Sequence, residues 1–390
     1  MRDQGTVLVL LRNYLPGYQS GGPVRTLANM VERLGDEFRF RIITSDRDAL
    51  DECPYSEVEI DGWNRVGKAD VYYASPPSLS FRRLSKLIAA TPHDVLYLNS
   101  FFHRIFGVQP LIARRLGLLR RVPVVLAPRG ELSAGVLKLK GWKKVPYMTM
   151  ASRLGLYRDL VWQASSDFEV EDIRRMCGSV AERVVVAPNL PGTDPEEGVA
   201  AQVRYPGDAL RVLFLSRITP AKNLEYALQV LAKVRVPVKF SIYGPVRDPA
   251  YWQACQRMID ELPGTVEAKY WGAVPPTDVD EVLRMHDLFF LPTRGENYGH
   301  ALAEALRAGT PVLIADTTAW RGLEEAGVGW DLPLDDGDRF ARCVEQCATL
   351  GPDEYAAWRE RVRRYAATRI GDERVVEANR SLFESVVAYT

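Results

Sequence analysis

The sequence has few residues that bind metals or form disulfides. Its 390 residues include five cysteines and four histidines, and no two cysteines form a CxxC pair. An odd, scattered set of cysteines excludes a disulfide framework, disfavours a thiolate metal site and fits a reducing cytoplasm. We therefore expect a cytoplasmic protein without a thiolate metal site.

Long apolar runs are also missing. The first apolar run, residues 7–11, ends at Arg12, and no run approaches the roughly 18–20 residues that cross a bilayer. We expect neither a cleaved signal peptide of the secretory type nor a membrane-spanning helix.

The chain carries no net charge and no GxGxxG motif. Fifty Lys and Arg residues balance fifty Asp and Glu residues. A neutral chain has no global field to attract nucleic acid, so any bound anion must be held by a few local groups. The missing glycine motif disfavours a dinucleotide cofactor. We expect neither a cofactor nor a nucleic-acid partner.

What the sequence does contain is the pattern of a globular α/β protein. Length predicts two domains, and short apolar runs alternate with segments of helical period in both halves. The pattern breaks over residues 188–207, which carry four prolines and three glycines. We expect two doubly wound domains facing across a cleft, with ligands beyond the carboxyl ends of the strands. The predicted ranges are a first domain at 1–188, a linker at 189–209, a second domain at 210–371 and a final helix at 372–390.

The segment PTRGENYGHALAEALRAGTP, residues 292–311, carries the clearest chemical signal. Glu296 lies where a helix is predicted to open, and Glu304 lies about two turns further on. The first N–H groups of that helix, near Tyr298, Gly299 and His300, form a potential phosphate site. The alternative is a solvent-facing acidic pair on an amphipathic helix.

A second signal follows the first strand of the same half. Arg217 comes directly after the strand at 211–215, and Lys222 follows five residues later. Two cations on one loop can converge on an anion, each contributing on the order of 4 kcal/mol of Coulomb attraction before desolvation is subtracted. The alternative is a pair of solvated surface cations. In the first half, Gly21 and Gly22 permit close approach of the backbone to an anion or sugar, unless they belong to an ordinary flexible loop.

These motifs together resemble the GT-B retaining glycosyltransferases of family 4. The similarity is carried by R-x4-K, by the YWG-x-V strand at 270–274, and by Glu296-x7-Glu304 with its ENYG helix mouth. GGPVRTL and APRGELSAG resemble a subgroup that acts in polysaccharide or lipopolysaccharide assembly. The resemblance implies two Rossmann-like domains, a nucleotide-sugar donor bound mainly by the second, and a sugar acceptor bound mainly by the first. In such proteins the last helix often returns to the first domain.

The resemblance also implies roles for individual residues. Arg217 and Lys222 would hold the donor diphosphate and stabilise the leaving group, Glu304 would bind the ribose, and Glu296 would bind the donor sugar. Val274 would contact the base through its backbone, which leaves UDP and GDP open. The remaining donor residues that it implies are Gly21, Gly22, Gly244, Asn297, Tyr298, Gly299 and His103. Tyr298 and His300 depart from the residues common at these positions.

On the acceptor side, the resemblance indicates Arg25, Arg129 and Glu131. For Arg129 and Glu131 the alternative is an ion pair that fixes their loop, and for His103 it is a structural role. The lysines at 138–144 alternate with apolar residues, which is typical either of a stretch that docks on anionic lipid or of a solvated helix face.

The implied activity is metal-independent, retaining transfer of a sugar from a UDP- or GDP-linked donor to a glycan or lipid-linked glycan. Three DxD triplets are scattered along the chain, and this favours chance over a metal site. Two alternatives stay open: a GT-B sugar-nucleotide epimerase or phosphorylase-like enzyme, and a non-catalytic partner that binds a nucleotide sugar.

Overall fold

The computed structural model describes residues 4–49, 51–132, 147–148, 150–151, 153–192, 207–370 and 373–387. The chain divides into two compact units. Unit 1 takes in Met1–Gly192 and Glu373–Thr390, and unit 2 is Thr193–Asp372. Each unit is built on one sheet, so the predicted α/β class with two parallel-sheet domains is confirmed.

Unit 1 contains an eight-stranded sheet in the order β3-β4-β2-β1-β5-β6-β7-β8. All neighbouring strands are parallel except the antiparallel pair β3–β4. Strand β5 is fully buried, as expected for a strand covered on both faces. The strands are β1 Thr6–Leu10, β2 Arg39–Ser45, β3 Trp63–Val66, β4 Ala69–Ala74, β5 Val95–Leu98, β6 Val124–Leu126, β7 Leu160–Ala164 and β8 Arg183–Val186.

Helices cover both faces of this sheet, and the C-terminal helix is one of them. The ring of Phe383 packs 5.6 Å from Phe38 and 5.4 Å from Tyr97, and Arg380 pairs with Glu37 at 2.6 Å. The described helices are Gly22–Leu34, Phe81–Ala90, Gln109–Arg115, Asp167–Cys177 and Glu373–Val387, with a π-helix at Arg104–Val108 and a 3-10 turn at Gly178–Val180.

Unit 2 contains six parallel strands in the order β11-β10-β9-β12-β13-β14. The strands are β9 Leu210–Leu215, β10 Val238–Tyr243, β11 Val266–Gly272, β12 Leu288–Leu291, β13 Val312–Ala315 and β14 Gly329–Leu332. The described helices are Leu224–Leu231, Pro249–Asp260, Val279–Arg284, His300–Arg307, Gly337–Thr349 and Pro352–Arg369, with a 3-10 turn at Pro276–Asp278.

The strand orders fix where ligands are expected. From β9 the chain builds outward through β10 and β11 on one side, then returns to build β12 to β14 on the other. The order therefore reverses between β9 and β12, and in unit 1 it reverses between β1 and β5. Ligands of doubly wound sheets bind at such switch points, beyond the carboxyl ends of the strands.

Two edge strands and one helix start differ from the sequence prediction. Strands β3 and β14 were not predicted, and β3 alternates between exposed and half-buried residues as an edge strand does. The helix expected to open near Asn297 begins at His300. The predicted linker lies largely outside the described residues, since 193–206 are not among them. Within the described ranges, no helix has both the length and the apolar character needed to cross a bilayer.

Candidate active site

The loop that follows β9, residues 216–223, is fastened to the ends of the neighbouring strands. The N–H of Ile218 donates to the carbonyl oxygen of Pro245 at 2.9 Å, and the N–H of Arg247 donates to that of Ile218 at 3.2 Å. Gly244 has φ 137°, and a Cβ there would lie 1.8 Å from the Ser216 carbonyl oxygen. Only glycine fits this position, and it lets the end of β10 press against the residue before Arg217.

Lys222 and Glu296 join the two loops of the switch point. Lys222, on the loop after β9, is buried, and its Nζ donates to Oε2 of Glu296 on the loop after β12. The carboxylate side chain retains 20% of its exposure, so the pair opens to solvent on the Glu296 side. A buried ammonium needs such a partner, because an unpaired charge at this depth is very costly.

A second connection between the same loops comes from Asn223. It adopts the left-handed conformation, with φ 61° and ψ 42°, and it is 3% exposed. Its Nδ2 donates to the Pro292 carbonyl oxygen at 3.0 Å, while its Oδ1 accepts two hydrogen bonds from the Arg294 guanidinium at 3.2 Å. We call these contacts the Asn223 clamp. Sequence reasoning missed it, although asparagine after a strand-end loop is a known choice for the left-handed region.

Arg217 differs from Lys222 in its surroundings. It is exposed, and its side chain forms no hydrogen bond or ion pair with any residue in the described ranges. Arginine is charged at all accessible pH values and presents five donors in a rigid fork. The Arg217 guanidinium is thus a cation without a side-chain partner among the described residues. It lies two residues beyond β9, beside Gly244.

The helix His300–Arg307 opens at the same edge. Gly299 caps it with φ 77° and, as a glycine, adds no side-chain hydrogen bond to its first turn. A Cβ on Gly299 would lie 3.1 Å from Cγ of Glu296, so the cap and the carboxylate are neighbours. Glu304 lies half-buried on the second turn. This arrangement presents a helix N-terminus, which favours an anion, next to the Lys222–Glu296 pair.

The unusual residues at the helix mouth contact one another. The rings of Tyr298 and His300 lie 4.9 Å apart, and the Trp320 indole Nε1 donates to the Tyr298 carbonyl oxygen at 2.6 Å. Asn297 lies half-buried between Glu296 and this cluster in the chain. The two departures from the family pattern are therefore accommodated by a local aromatic cluster.

Val274 follows β11 at the same carboxyl edge. Gly272, two residues earlier, accepts the Gly244 N–H at 2.7 Å. The backbone N–H and C=O of Val274 form no hydrogen bond with the described residues, and its side chain is half-buried against the core. A backbone donor and acceptor are thus available at the edge where a base was predicted.

In unit 1 the loop after β1 is ordered by a buried carboxylate. Asp48 accepts hydrogen bonds from the N–H groups of Tyr18 and Gln19 at 2.8 and 3.0 Å. Gly21, with φ 73°, caps the helix that begins at Gly22. Burial lowers the pKa of Arg25, on the first turn of that helix, to about 10, which leaves it cationic at neutral pH. The alternative of a loose glycine loop does not fit these contacts.

His103 lies at the carboxyl edge of β5. Its ring Nδ1 accepts the Phe106 N–H at 3.2 Å, which assigns the proton of the neutral ring to Nε2. Burial lowers the pKa of His103 to about 4, and the nearby Arg12 cation adds to the shift. His103 is therefore a neutral ring with Nε2–H as its donor.

Arg129 and Glu131 do not form an ion pair with each other. Each side chain forms hydrogen bonds with other residues. The Arg129 guanidinium, on a residue with φ 55°, donates to Asn99, Tyr97 and Asn189. Glu131 accepts from the Ser100 hydroxyl at 2.8 Å and from the N–H groups of Phe101 and Phe102 at 2.7 and 2.9 Å. Both side chains bind this loop to the end of β5.

The predicted residues thus gather at two strand edges, one in each unit. In unit 2, Arg217, Lys222, Gly244, Glu296 and Gly299 lie at the ends of β9, β10 and β12. In unit 1, Glu131 and His103 share Ser100, whose hydroxyl also accepts the His103 N–H at 3.1 Å. The lysines at 138–144 lie outside the described residues. Within the described part of the chain, no group of three or more His, Cys, Asp or Glu residues is placed to hold a metal ion.

Comparison with known proteins identifies both units. Residues 21–190 match the family described as glycosyl transferase 4-like domain, and residues 199–365 match glycosyl transferases group 1. The chain is 27% identical over 212 residues to O-antigen chain mannosyltransferase B of Escherichia coli, covering 50% of this chain and 52% of that protein. It is 28% identical over 205 residues to phosphatidyl-myo-inositol mannosyltransferase of Mycobacterium tuberculosis, covering 50% and 53%. The chain spans about half the length of these curated relatives.

A solved structure agrees with the fold. HepE of Anabaena, crystallised with UDP and glucose, matches with a TM-score of 0.68 at 16% identity, over 98% of this chain and 100% of that one. At this identity the likeness shows the fold alone. The two family matches and the two parallel-sheet units lead to one conclusion: the chain belongs to the family 4-like glycosyltransferases of the GT-B fold.

Proposed function

We propose that this protein transfers a hexose-type sugar from a nucleoside diphosphate sugar to a hydroxyl group of a glycan or lipid-linked glycan. Transfer proceeds with retention at the anomeric carbon and needs no metal ion. The donor is bound mainly by unit 2, and the acceptor is bound mainly by unit 1. The observation that carries this proposal is the Lys222–Glu296 pair, which joins the two switch-point loops beside the start of the helix that follows Gly299.

The pair suits the junction between a phosphate and a sugar. Lys222 offers a cation to the diphosphate, and Glu296 offers carboxylate oxygens that accept hydrogen bonds from sugar hydroxyls. Both groups are preorganised by burial and by the Asn223 clamp. A donor that contacts both side chains displaces solvent from the exposed side of the Glu296 carboxylate. It leaves the Lys222 ammonium buried.

The cations are aimed at the charge that develops during transfer. As the anomeric carbon–oxygen bond breaks, negative charge grows on the leaving diphosphate, and Arg217, Lys222 and the helix N-terminus stabilise it. A phosphate oxygen on the same face then accepts the proton of the attacking hydroxyl. Neither a dedicated protein base nor a metal is required by this route.

The remaining residues complete the donor site. Glu304 accepts hydrogen bonds from the ribose hydroxyls, the peptide groups of Val274 read the base, and the backbone at Asn297, Tyr298 and Gly299 contacts sugar and phosphate. HepE was solved with UDP and glucose, and two relatives are named mannosyltransferases. These names support a hexose donor, and the UDP in HepE supports a nucleoside diphosphate as its carrier.

In unit 1, neutral His103 donates its Nε2–H to the donor sugar, and Gly21 and Gly22 allow the backbone to approach it. Arg25, which remains cationic, faces the acceptor. Because the side chains of Arg129 and Glu131 are committed to other residues, they shape the acceptor loop and present its backbone.

The test is a thermal-shift screen of UDP- and GDP-linked hexoses, followed by a transfer assay with glycan and lipid-linked acceptors. A donor at 100 times its dissociation constant stabilises the protein by about 2.7 kcal/mol. Lys222→Ala should lower turnover by about 100- to 1000-fold with the fold intact, whereas the exposed Lys239→Ala should not. Near-normal turnover in Lys222→Ala would contradict the assignment. Donor binding without transfer to any acceptor would favour the non-catalytic alternative.

A further inference from the structure

Three neighbouring strand ends of unit 2 carry the loops around the Lys222–Glu296 pair. Strand β12 lies between β9 and β13 in the sheet. The loop after β12, residues 292–299, therefore lies between the loop after β9, residues 216–223, and the loop after β13, residues 316–321. Under the proposed function the first two of these strands, β12 and β9, supply loops that bind the donor. The loop after β13 has no part in it, although it is hydrogen-bonded to the loop after β12.

The loop after β13 holds two carbonyl groups of the loop after β12. The Thr317 hydroxyl donates to the Thr293 carbonyl oxygen at 2.6 Å, and the Trp320 indole Nε1 donates to the Tyr298 carbonyl oxygen at 2.6 Å. The Glu296 N–H, between these two points, donates to the Thr317 carbonyl oxygen at 3.4 Å. The carbonyl groups of Thr293 and Tyr298 therefore both point towards the loop after β13.

The peptide group between Thr293 and Arg294 shows what this orientation does to the following N–H. A trans peptide group is planar, so its C=O and N–H point in opposite directions. While the Thr293 carbonyl oxygen accepts from Thr317, the Arg294 N–H donates to the Ala221 carbonyl oxygen at 2.8 Å. Ala221 belongs to the loop after β9. A carbonyl group held by the loop after β13 thus directs the next N–H towards the loop after β9.

The peptide group between Tyr298 and Gly299 is held in the same way but has no such acceptor. Its carbonyl oxygen accepts from Trp320, so the Gly299 N–H faces the side on which Lys222 lies. Gly299 is buried, and its N–H forms no hydrogen bond with any residue in the described ranges. A Cβ there would lie 3.1 Å from Cγ of Glu296. Since nearly all buried N–H groups of native proteins have a partner, this N–H is placed for an oxygen of a ligand.

We propose that Trp320 is a positioning residue of the donor site. Its indole N–H fixes the Tyr298–Gly299 peptide group so that the Gly299 N–H donates to an oxygen of the distal, sugar-bearing phosphate of a nucleoside diphosphate. The distal phosphate is assigned from the neighbouring side chains, because Lys222 offers a cation to phosphate and Glu296 accepts from sugar hydroxyls. Hydrogen bonds to ionised groups are about twice as strong as neutral ones, so the direction of this N–H affects affinity. This inference rests on the proposed function, in which unit 2 binds the donor diphosphate.

The experiment is isothermal titration calorimetry of UMP, UDP, GMP and GDP with the native full chain and with Trp320→Phe. The substitution keeps an aromatic ring beside Tyr298 and removes the N–H donor. For the base that the native chain binds, affinity for the diphosphate should fall by about tenfold, as expected when a hydrogen bond to a charged group is lost. Affinity for the monophosphate, which lacks the distal phosphate, should be unchanged, and this also shows that the variant is folded. If Trp320→Phe does not fold, Trp320→Met, which also lacks the donor, repeats the comparison.

The matched control is Trp358→Phe, in the same unit. The Trp358 indole Nε1 also donates to a backbone carbonyl oxygen, that of Gly327, at 3.0 Å. Gly327 lies just before β14, at the amino ends of the strands and not at the ends that carry the three loops. This variant loses an equivalent hydrogen bond, and it should bind both nucleotides as the native chain does.

Three results would overturn the role of Trp320 while leaving the proposed function in place. They are an unchanged affinity of Trp320→Phe for the diphosphate, an equal loss of affinity for monophosphate and diphosphate, and the same loss in Trp358→Phe. The second result would mean that Trp320 supports the whole loop and does not direct one N–H. If the native chain binds none of the four nucleotides, the proposed donor site itself fails, and the role of Trp320 fails with it.

Discussion

Two arginines that follow sheet strands have opposite surroundings. Arg217, after β9 in unit 2, is exposed and forms no side-chain hydrogen bond with the described residues. Arg129, after β6 in unit 1, donates to the side chains of Tyr97, Asn99 and Asn189. The same residue type at the same kind of position is free for a ligand in one unit and part of the framework in the other.

The difference shows that position at a strand end does not by itself assign a ligand-binding role. The partners of Arg129 are the start of a longer buried polar chain. The Tyr97 hydroxyl donates to Gln163, and Gln163 Nε2 donates to Asn379 of the C-terminal helix at 3.3 Å. Arg129 therefore ties its own loop to three strands and to the last helix. Arg129, whose side chain is hydrogen-bonded within the fold, should therefore matter for stability. Arg217, whose side chain has no partner among the described residues, should matter for turnover.

The largest expected effect is on Arg217. Arg217→Gln removes the cation that we propose stabilises the leaving diphosphate, so turnover should fall by about 100- to 1000-fold. The free energy of unfolding should stay within about 0.5 kcal/mol of the native value, because no described contact is lost. Steady-state kinetics and urea unfolding measure the two effects on one preparation. A loss of stability without a loss of turnover would contradict this prediction, because Arg217 would then have the structural role expected of Arg129.

Arg129→Met should give the opposite result. It leaves the oxygens of Tyr97, Asn99 and Asn189 without their donor, so the free energy of unfolding should fall by about 3 kcal/mol. At a temperature where the variant is folded, the KM for acceptor should change little. Arg183→Met on β8 serves as a control arginine of the same unit. A stable Arg129→Met protein with a greatly raised acceptor KM would show that Arg129 binds the acceptor directly.

The Asn223 clamp tests whether a neutral side chain also affects turnover by holding the two loops in place. Asn223→Gly tolerates the left-handed backbone but removes the hydrogen bonds to Pro292 and Arg294, so turnover should fall by about tenfold. The matched control is Asp159→Gly, another left-handed residue with φ 57°, in unit 1. In a Lys222→Ala background, Asn223→Gly should add no further loss, because the group that it positions is gone. Fully additive losses would mean that the clamp acts elsewhere.

The sequence could predict the two α/β units, and it could place Arg217, Lys222 and Glu296 at the ends of strands in unit 2, because both depend on local patterns. Strand and helix periodicity gave the elements, and the spacing of Arg217, Lys222, Glu296 and Glu304 placed charges at strand ends. It could not predict the partners of these charges. That Lys222 pairs with Glu296, that Asn223 clamps the loops, and that Arg129 is committed to Tyr97 all depend on contacts between residues at least 30 apart.

The smallest expected effect concerns His103, which shares one feature with each arginine. Its Nδ1 accepts the Phe106 N–H within the fold, and its Nε2–H is the available donor. Burial holds the pKa of His103 at about 4, below the ordinary value of 6.5. At His103 the unfolded chain therefore binds a proton at pH values where the ring in the folded chain stays neutral. Stability from this residue is fully present above about pH 6.5 and is lost as the pH falls towards 4.

His103→Asn isolates that contribution, because the amide oxygen can still accept the Phe106 N–H but does not titrate. Between pH 7 and pH 5.5 the native protein should lose about 1 kcal/mol more stability than the variant in urea unfolding. His93 and His286, whose pKa values are also lowered by burial, contribute equally to both proteins and cancel. Parallel stability curves would mean that His103 is solvated in the folded state. Between pH 5.5 and 8 the turnover of the native enzyme should show no titration from His103, because a ring that is neutral throughout this range donates through Nε2–H at every pH.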